Sequence, residues 1–128
     1  IKYWADFTEY LDLLRAKGLI TICIAHAKIE RFEDPENPAY DRYSPRLHKL
    51  AKDYLCEWSD AVLFATRNIV TIADKDKPGR SRAKSHPGGD RILRTTGGPA
   101  CVAKNRFGIT EDLPLDWDTF YNHFGGQK

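Results

Sequence analysis

The chain has 128 residues, 41% of them apolar and 30% charged, which is the size and balance of one globular domain and excludes a wholly disordered polypeptide. Twenty basic residues against eighteen acidic ones leave a net charge of +2, too little for a polybasic coat, so any contact with nucleic acid has to come from a local patch. The longest apolar stretch, Leu19 to Ala25, is far short of the roughly 20 residues of a membrane span, and no signal-peptide pattern opens the chain.

Trp4, Phe7, Leu11 and Leu14 recur at helical spacing, widened by Tyr10 and Leu13, and Gly18 follows as a stop. The spacing predicts an amphipathic helix over about residues 3–17. Leu19-Ile20-Thr21-Ile22-Cys23-Ile24-Ala25 is a β-branched run that suits a strand covered on both faces, as in a parallel sheet. Residues 27–44 are polar, with Pro35 and Pro38 among mixed charges, and read as a long loop of the kind that is usually functional or disordered. Ser44-Pro45 has the pattern of a helix start, and Leu47, Leu50, Ala51, Tyr54, Leu55 and Trp58 supply the buried stripe of that helix.

Asp60 to Thr66 reads as a second buried strand, continuing through residues 68–73. Arg91 to Thr96 alternates like a half-exposed strand, so the two form an antiparallel hairpin with a long basic tip. The last predicted element is a short helix at Asp116–Phe124, with Asp116 as its cap.

Three cysteines at wide spacing, Cys23, Cys56 and Cys101, read as buried free thiols of a cytoplasmic protein. The four histidines are dispersed, so no metal site is expected. Residue 1 is Ile and the chain contains no Met, which reads as the later part of a larger protein, with residues 1–128 as one domain. The glycine-rich phosphate loop is missing, and Gly88-Gly89 and Gly97-Gly98 read as turns.

Three features carry chemistry. His26 ends the first predicted strand, at the carboxyl end where open α/β sheets bind ligands; it either senses a phosphate there or caps the strand. The tip over residues 75–91 carries Lys75, Lys77, Arg80, Arg82, Lys84 and Arg91 against Asp76 and Asp90. It is either a track for a phosphate backbone or a solvated loop. Lys104 and Arg106 stand two apart on an extended segment, so both side chains point the same way, toward an anion or into solvent as a basic turn.

In this order, the I-A-H-A-K strand end, the D-A-V-L-F strand and the A-K-N-R-F-G segment resemble the later half of the RecA-like ATPase core. The nearest likeness is to phage-encoded nucleotide-binding proteins of that superfamily, associated with single-strand annealing and recombination. The resemblance implies a three-layer α/β fold with a mostly parallel sheet and an antiparallel hairpin extension. It implies ATP and Mg²⁺ in the intact protein, single-stranded DNA as partner, and a homo-oligomer. It makes His26 the link between γ-phosphate and DNA, and places Lys104 and Arg106 at the neighbouring subunit's nucleotide. DNA contacts fall on the loop 27–44, which holds Lys28 and Arg31, and on the basic tip. Without the phosphate loop the chain alone is not expected to hydrolyse ATP. The other reading is a non-enzymatic domain on the same fold that binds nucleic acid or protein.

Overall fold

The structure is a computed structural model that describes residues 2–73, 81–85 and 90–124. Helix α1 spans Lys2–Ala16, as its periodicity predicts, and buries Leu11 and Thr8. It ends in a Schellman motif: the Gly18 N–H donates to the Arg15 carbonyl at 2.9 Å and the Leu19 N–H to the Leu14 carbonyl at 3.2 Å. Gly18 takes φ +84°, which a side chain would oppose.

Residues 19–26 then run without secondary structure. This corrects the expected buried strand. Ile22 is 65% exposed and Ile24 94% exposed. The run has a strand's composition, but no strand among the described residues lies beside it, and a strand exists only with a neighbour to close its hydrogen bonds.

The expected long loop is instead a hairpin. Strand β1, Ala27–Phe32, pairs antiparallel with β2, Tyr40–Pro45, in the register Glu30↔Arg42 and Phe32↔Tyr40. Both prolines fall in the connection. There Asp34 makes an Asx turn, accepting from the Glu36 N–H at 2.9 Å and the Asn37 side-chain amide at 3.1 Å. The Ser44-Pro45 pattern therefore ends a strand, and helix α2 starts later, at Lys49–Trp58. α1 lies on α2, where the Thr8 and Tyr54 hydroxyls meet at 3.1 Å and the Trp58 indole N–H donates to Asp12 Oδ2 at 3.3 Å.

The second predicted strand is split into β3, Ala61–Val62, and β4, Phe64–Arg67, followed by β5, Ile69–Ala73. The predicted pairing holds for β4, which pairs with β7, Arg91–Arg94, whereas β5 pairs with β6, Ser81–Ser85, a strand inside the stretch expected to be an irregular tip. β3 pairs with β8, Lys104–Asn105, and β7 also pairs with β9, Leu113–Pro114. Helix α3, Trp117–Phe124, closes the described chain; Asp116 caps it, accepting from the Thr119 N–H at 2.9 Å and the Thr119 hydroxyl at 2.7 Å.

The fold is thus mixed α/β, but every ladder among the described residues is antiparallel, and the parallel contact is an isolated bridge between Tyr43 and Cys101. The expected mostly parallel sheet is not seen there. Among the described residues the buried apolar ones are Leu11, Ala51, Cys101, Ile109 and Leu113. Cys101 is buried as expected and Cys56 half-buried, its thiol pushed up by burial, whereas Cys23 is exposed with the run that carries it. No helix among the described residues is long and apolar enough to cross a membrane.

Candidate functional site

The pairing of β8 with β3 sets Asn105 opposite Ala61 and Lys104 opposite Val62, which brings the Lys104–Arg106 segment to the end of α2. That helix has no basic residue in its own last turn, and its terminal carbonyls carry the negative end of the helix dipole. Lys104 and Arg106 supply the missing charge. Lys104 Nζ donates to the Glu57 carbonyl at 2.8 Å, and Arg106 Nη2 donates to the same carbonyl at 2.8 Å. Arg106 Nη1 donates to the Trp58 carbonyl at 3.4 Å and to Asp60 Oδ1 at 2.9 Å. The two cations therefore converge, and their target in this state is a helix end.

Asp60 ties the cluster to α1. Its Oδ2 accepts from Arg15 Nη1 at 3.0 Å, and its carbonyl accepts from the Arg106 backbone N–H at 3.0 Å. The Arg106 side chain is 53% exposed, so this is a surface network.

Asn105 fixes the turn that presents Arg106. Its amide nitrogen donates to the Thr95 and Ile109 carbonyls at 2.9 Å each, and its oxygen accepts from the Phe107 and Ile109 N–H groups at 3.1 and 3.0 Å. Thr95 is fully buried and donates to the Glu111 carbonyl at 2.8 Å. Phe107 is held from the far side by Phe124, 5.3 Å between ring centres. Asp60, Asn105 and Arg15 were not legible as site residues. The available signal was the polar Asn between two cations just before Phe-Gly.

The other expected residues lie apart from this cluster. His26 is exposed at the end of the uncovered run, and its carbonyl accepts from the Arg46 N–H at 2.7 Å. Among the described residues no hydrogen bond or ion pair joins it to Lys104 or Arg106. Lys28 is half-buried on β1, opposite Ser44. Arg31 is exposed and pairs with Glu33 at 3.6 Å and Asp41 at 3.8 Å. Between them on the strand, Glu30 takes Lys52 Nζ on both carboxylate oxygens at 2.9 Å. That hydrogen bond holds the Glu30 carboxyl below its ordinary range, against the opposing effect of burial. Lys75, Lys77 and Arg80 lie outside the described residues, as does the Gly88-Gly89 turn. Arg82 and Lys84 stand on β6, opposite Ile72 and Val70 in the register.

No group among the described residues fits the ATP or Mg²⁺ that the resemblance implies. Gly97-Gly98 is no phosphate cradle: a Cβ on Gly97 would lie 2.6 Å from the Ala103 carbonyl oxygen, and the Gly98 N–H already donates to the Cys101 carbonyl at 3.3 Å. Among the described residues no group of three His, Cys, Asp or Glu side chains is arranged to hold a metal ion.

No curated protein and no solved structure matches the chain. The family model of the AAA domain, an AAA-type P-loop ATPase family, matches residues 2–107, from α1 through the Lys104–Arg106 cluster. The match covers most of the sequence, and on it the chain belongs to the AAA domain family.

Proposed function

We propose that this chain is the later part of a RecA-like ATPase core that acts on single-stranded DNA in phage-type recombination or annealing, and that it does not turn over ATP by itself. One observation carries the reading: Leu19 to Ala25, an uncharged β-branched run ending in His26, stands uncovered and unpaired. Such a run is at home as an inner strand of a parallel sheet with helices on both faces. A segment bearing the phosphate loop would supply the neighbouring strands, complete the three-layer sheet and bring ATP and Mg²⁺. His26 would then stand at the carboxyl end of an inner strand, where such sheets place ligands.

Lys104 and Arg106 serve the nucleotide of an adjacent copy in a homo-oligomer. The hairpin β1–β2, with Lys28 and Arg31, and the basic tip, with Lys75, Lys77, Arg80, Arg82 and Lys84, contact the DNA. The engagement of Arg106 on the end of α2 favours the second reading, a nucleic-acid-binding or interaction module without catalysis, because a side chain held at three acceptors is not free to reach a neighbour.

Phosphate release separates the two. The 128-residue chain alone is expected to give none, and the chain joined to its phosphate-loop segment is expected to give turnover stimulated by single-stranded DNA. In that assembly Arg106→Ala lowers turnover by about 10³-fold, the scale of an arginine finger, with little change in nucleotide affinity. Steady turnover by the isolated chain would sink the reading. Full turnover by the Ala variant would leave Arg106 as a helix cap only.

A further inference from the structure

Three arginines sit on the three-stranded sheet β4–β7–β9, whose strands read Phe64-Ala-Thr-Arg67, Arg91-Ile-Leu-Arg94 and Leu113-Pro114 and contain no acid. Arg67 and Arg91 are both exposed and directly opposite each other in the register. Neither they nor Arg94 have an ion-pair partner among the described residues, although Asp90 and Asp112 flank the sheet. Side chains directly opposite in an antiparallel pair start about 5 Å apart, and like charges there destabilise the ladder. An opposed arginine pair with no ion-pair partner among the described residues is a standing cost that an anion would relieve. Two guanidinium forks at that separation offer several N–H donors to one phosphodiester.

The sheet also continues into the basic ribbon. The Asn68 N–H donates to the Asp90 carbonyl at 2.9 Å, bridging the β4–β7 ladder to the β5–β6 ladder. An extended polyanion laid along β5 and β6 therefore arrives at Arg67 and Arg91.

We propose that Arg67 and Arg91, opposed across β4 and β7, form a phosphodiester clamp for single-stranded nucleic acid at the root of the basic ribbon. This rests on the reading that the chain acts on single-stranded DNA, and adds to it Arg67 and the paired geometry that makes Arg91 half of a clamp.

The test is fluorescence anisotropy of a labelled oligothymidylate with the whole chain across a salt series. The paired variant Arg67→Gln with Arg91→Gln is expected to weaken binding about tenfold. It should also flatten the slope of log affinity against log salt by about 1.4, the loss of two single-strand phosphate contacts. Without DNA its thermal midpoint is expected to hold or rise, because a repulsion has been removed, whereas a merely structural pair would lower it. Arg67→Lys with Arg91→Lys should keep the slope and lose part of the affinity, since an ammonium lacks the planar fork. Binding by the wild-type chain with an unchanged affinity and slope in the Gln pair overturns the clamp and leaves the DNA reading standing. No binding by the wild-type chain at low salt overturns both. Displacement of the oligonucleotide by millimolar inorganic phosphate would make the pair an isolated anion site and also overturn the clamp.

Discussion

Arg106, just past β8, and Arg67, on β4, are both exposed arginines, and they keep opposite company. Arg106 has Asp60, two helix-end carbonyls and the neighbouring Lys104 on the same acceptor. Arg67 stands opposite another arginine, and neither has an ion-pair partner among the described residues. The first arrangement completes the protein, because α2 lacks a basic residue of its own where its carbonyls end. The second leaves charge over, which a partner outside the chain can use. Exposure alone does not separate a cation that holds the fold from one that waits for a ligand; the acceptors around it do.

The sharpest way to break that contrast is to remove the frame under Arg106. Asn105→Ala deletes four hydrogen bonds that close the turn, and is expected to lower the unfolding free energy by about 3 kcal/mol, measured by denaturant titration. Arg67→Gln in the same assay should leave stability equal or slightly higher. A small loss at Asn105 would mean that the turn stands without it, and that Arg106 is no better anchored than Arg67.

Lys52 is the extreme of the partnered class, with its side chain 9% exposed against Glu30 at 25%. Lys52→Met is expected to cost about 2 kcal/mol near neutral pH, since it leaves a half-buried carboxylate without its donor. Glu30 titrates below its ordinary value of 4.5 in the folded chain. The stability it contributes is therefore present above that value and is lost as the pH falls below it. Acid titration of wild type should show this loss, and the Met variant should not.

The smallest effect sharpens the comparison most directly. Asp60→Asn removes one charge from a surface network and should cost about 0.5 kcal/mol. Its chemical consequence is easier to read. In wild type, phenylglyoxal should modify Arg67 and Arg91 faster than Arg106, as followed by peptide mass spectrometry. In Asp60→Asn, modification of Arg106 should accelerate while Arg67 stays unchanged. Equal rates at all three arginines in wild type would erase the distinction.

What could be read from the sequence was local. α1, the Gly18 stop, α3 with its Asp116 cap and the β4–β7 pairing are present where local patterns predict them, whereas the strand β6 inside the basic tip was not foreseen. The hairpin β1–β2 was hidden because charges and two prolines read as loop, although both prolines sit in the turn and the strands alternate in burial. Ser44-Pro45 carried a helix-start signal that a strand end satisfies equally. Leu19 to Ala25 shows the converse: strand composition is local, but a strand needs a neighbour that composition does not name. At the site, Lys104 and Arg106 converge on one carbonyl, but Arg106 does so from the turn after β8 and not from an extended strand of period two. Their acceptors lie 46 to 49 residues earlier in the chain, so Asp60 and the end of α2 had no signature near them.

The uncovered run between α1 and β1 also has a consequence in time. Leu-Ile-Thr-Ile-Cys-Ile-Ala holds no charge, no proline and no glycine to interrupt stacking, the composition of a cross-β nucleus. Inside a completed sheet that composition is harmless, since both edges of the strand are occupied. Until then each copy offers an adhesive edge to every other copy, and the rate of self-capture rises with concentration while folding onto a tethered cover does not. Under the proposed function, the delay before a covering segment arrives would therefore decide how much of the chain is protected in a sheet and how much aggregates.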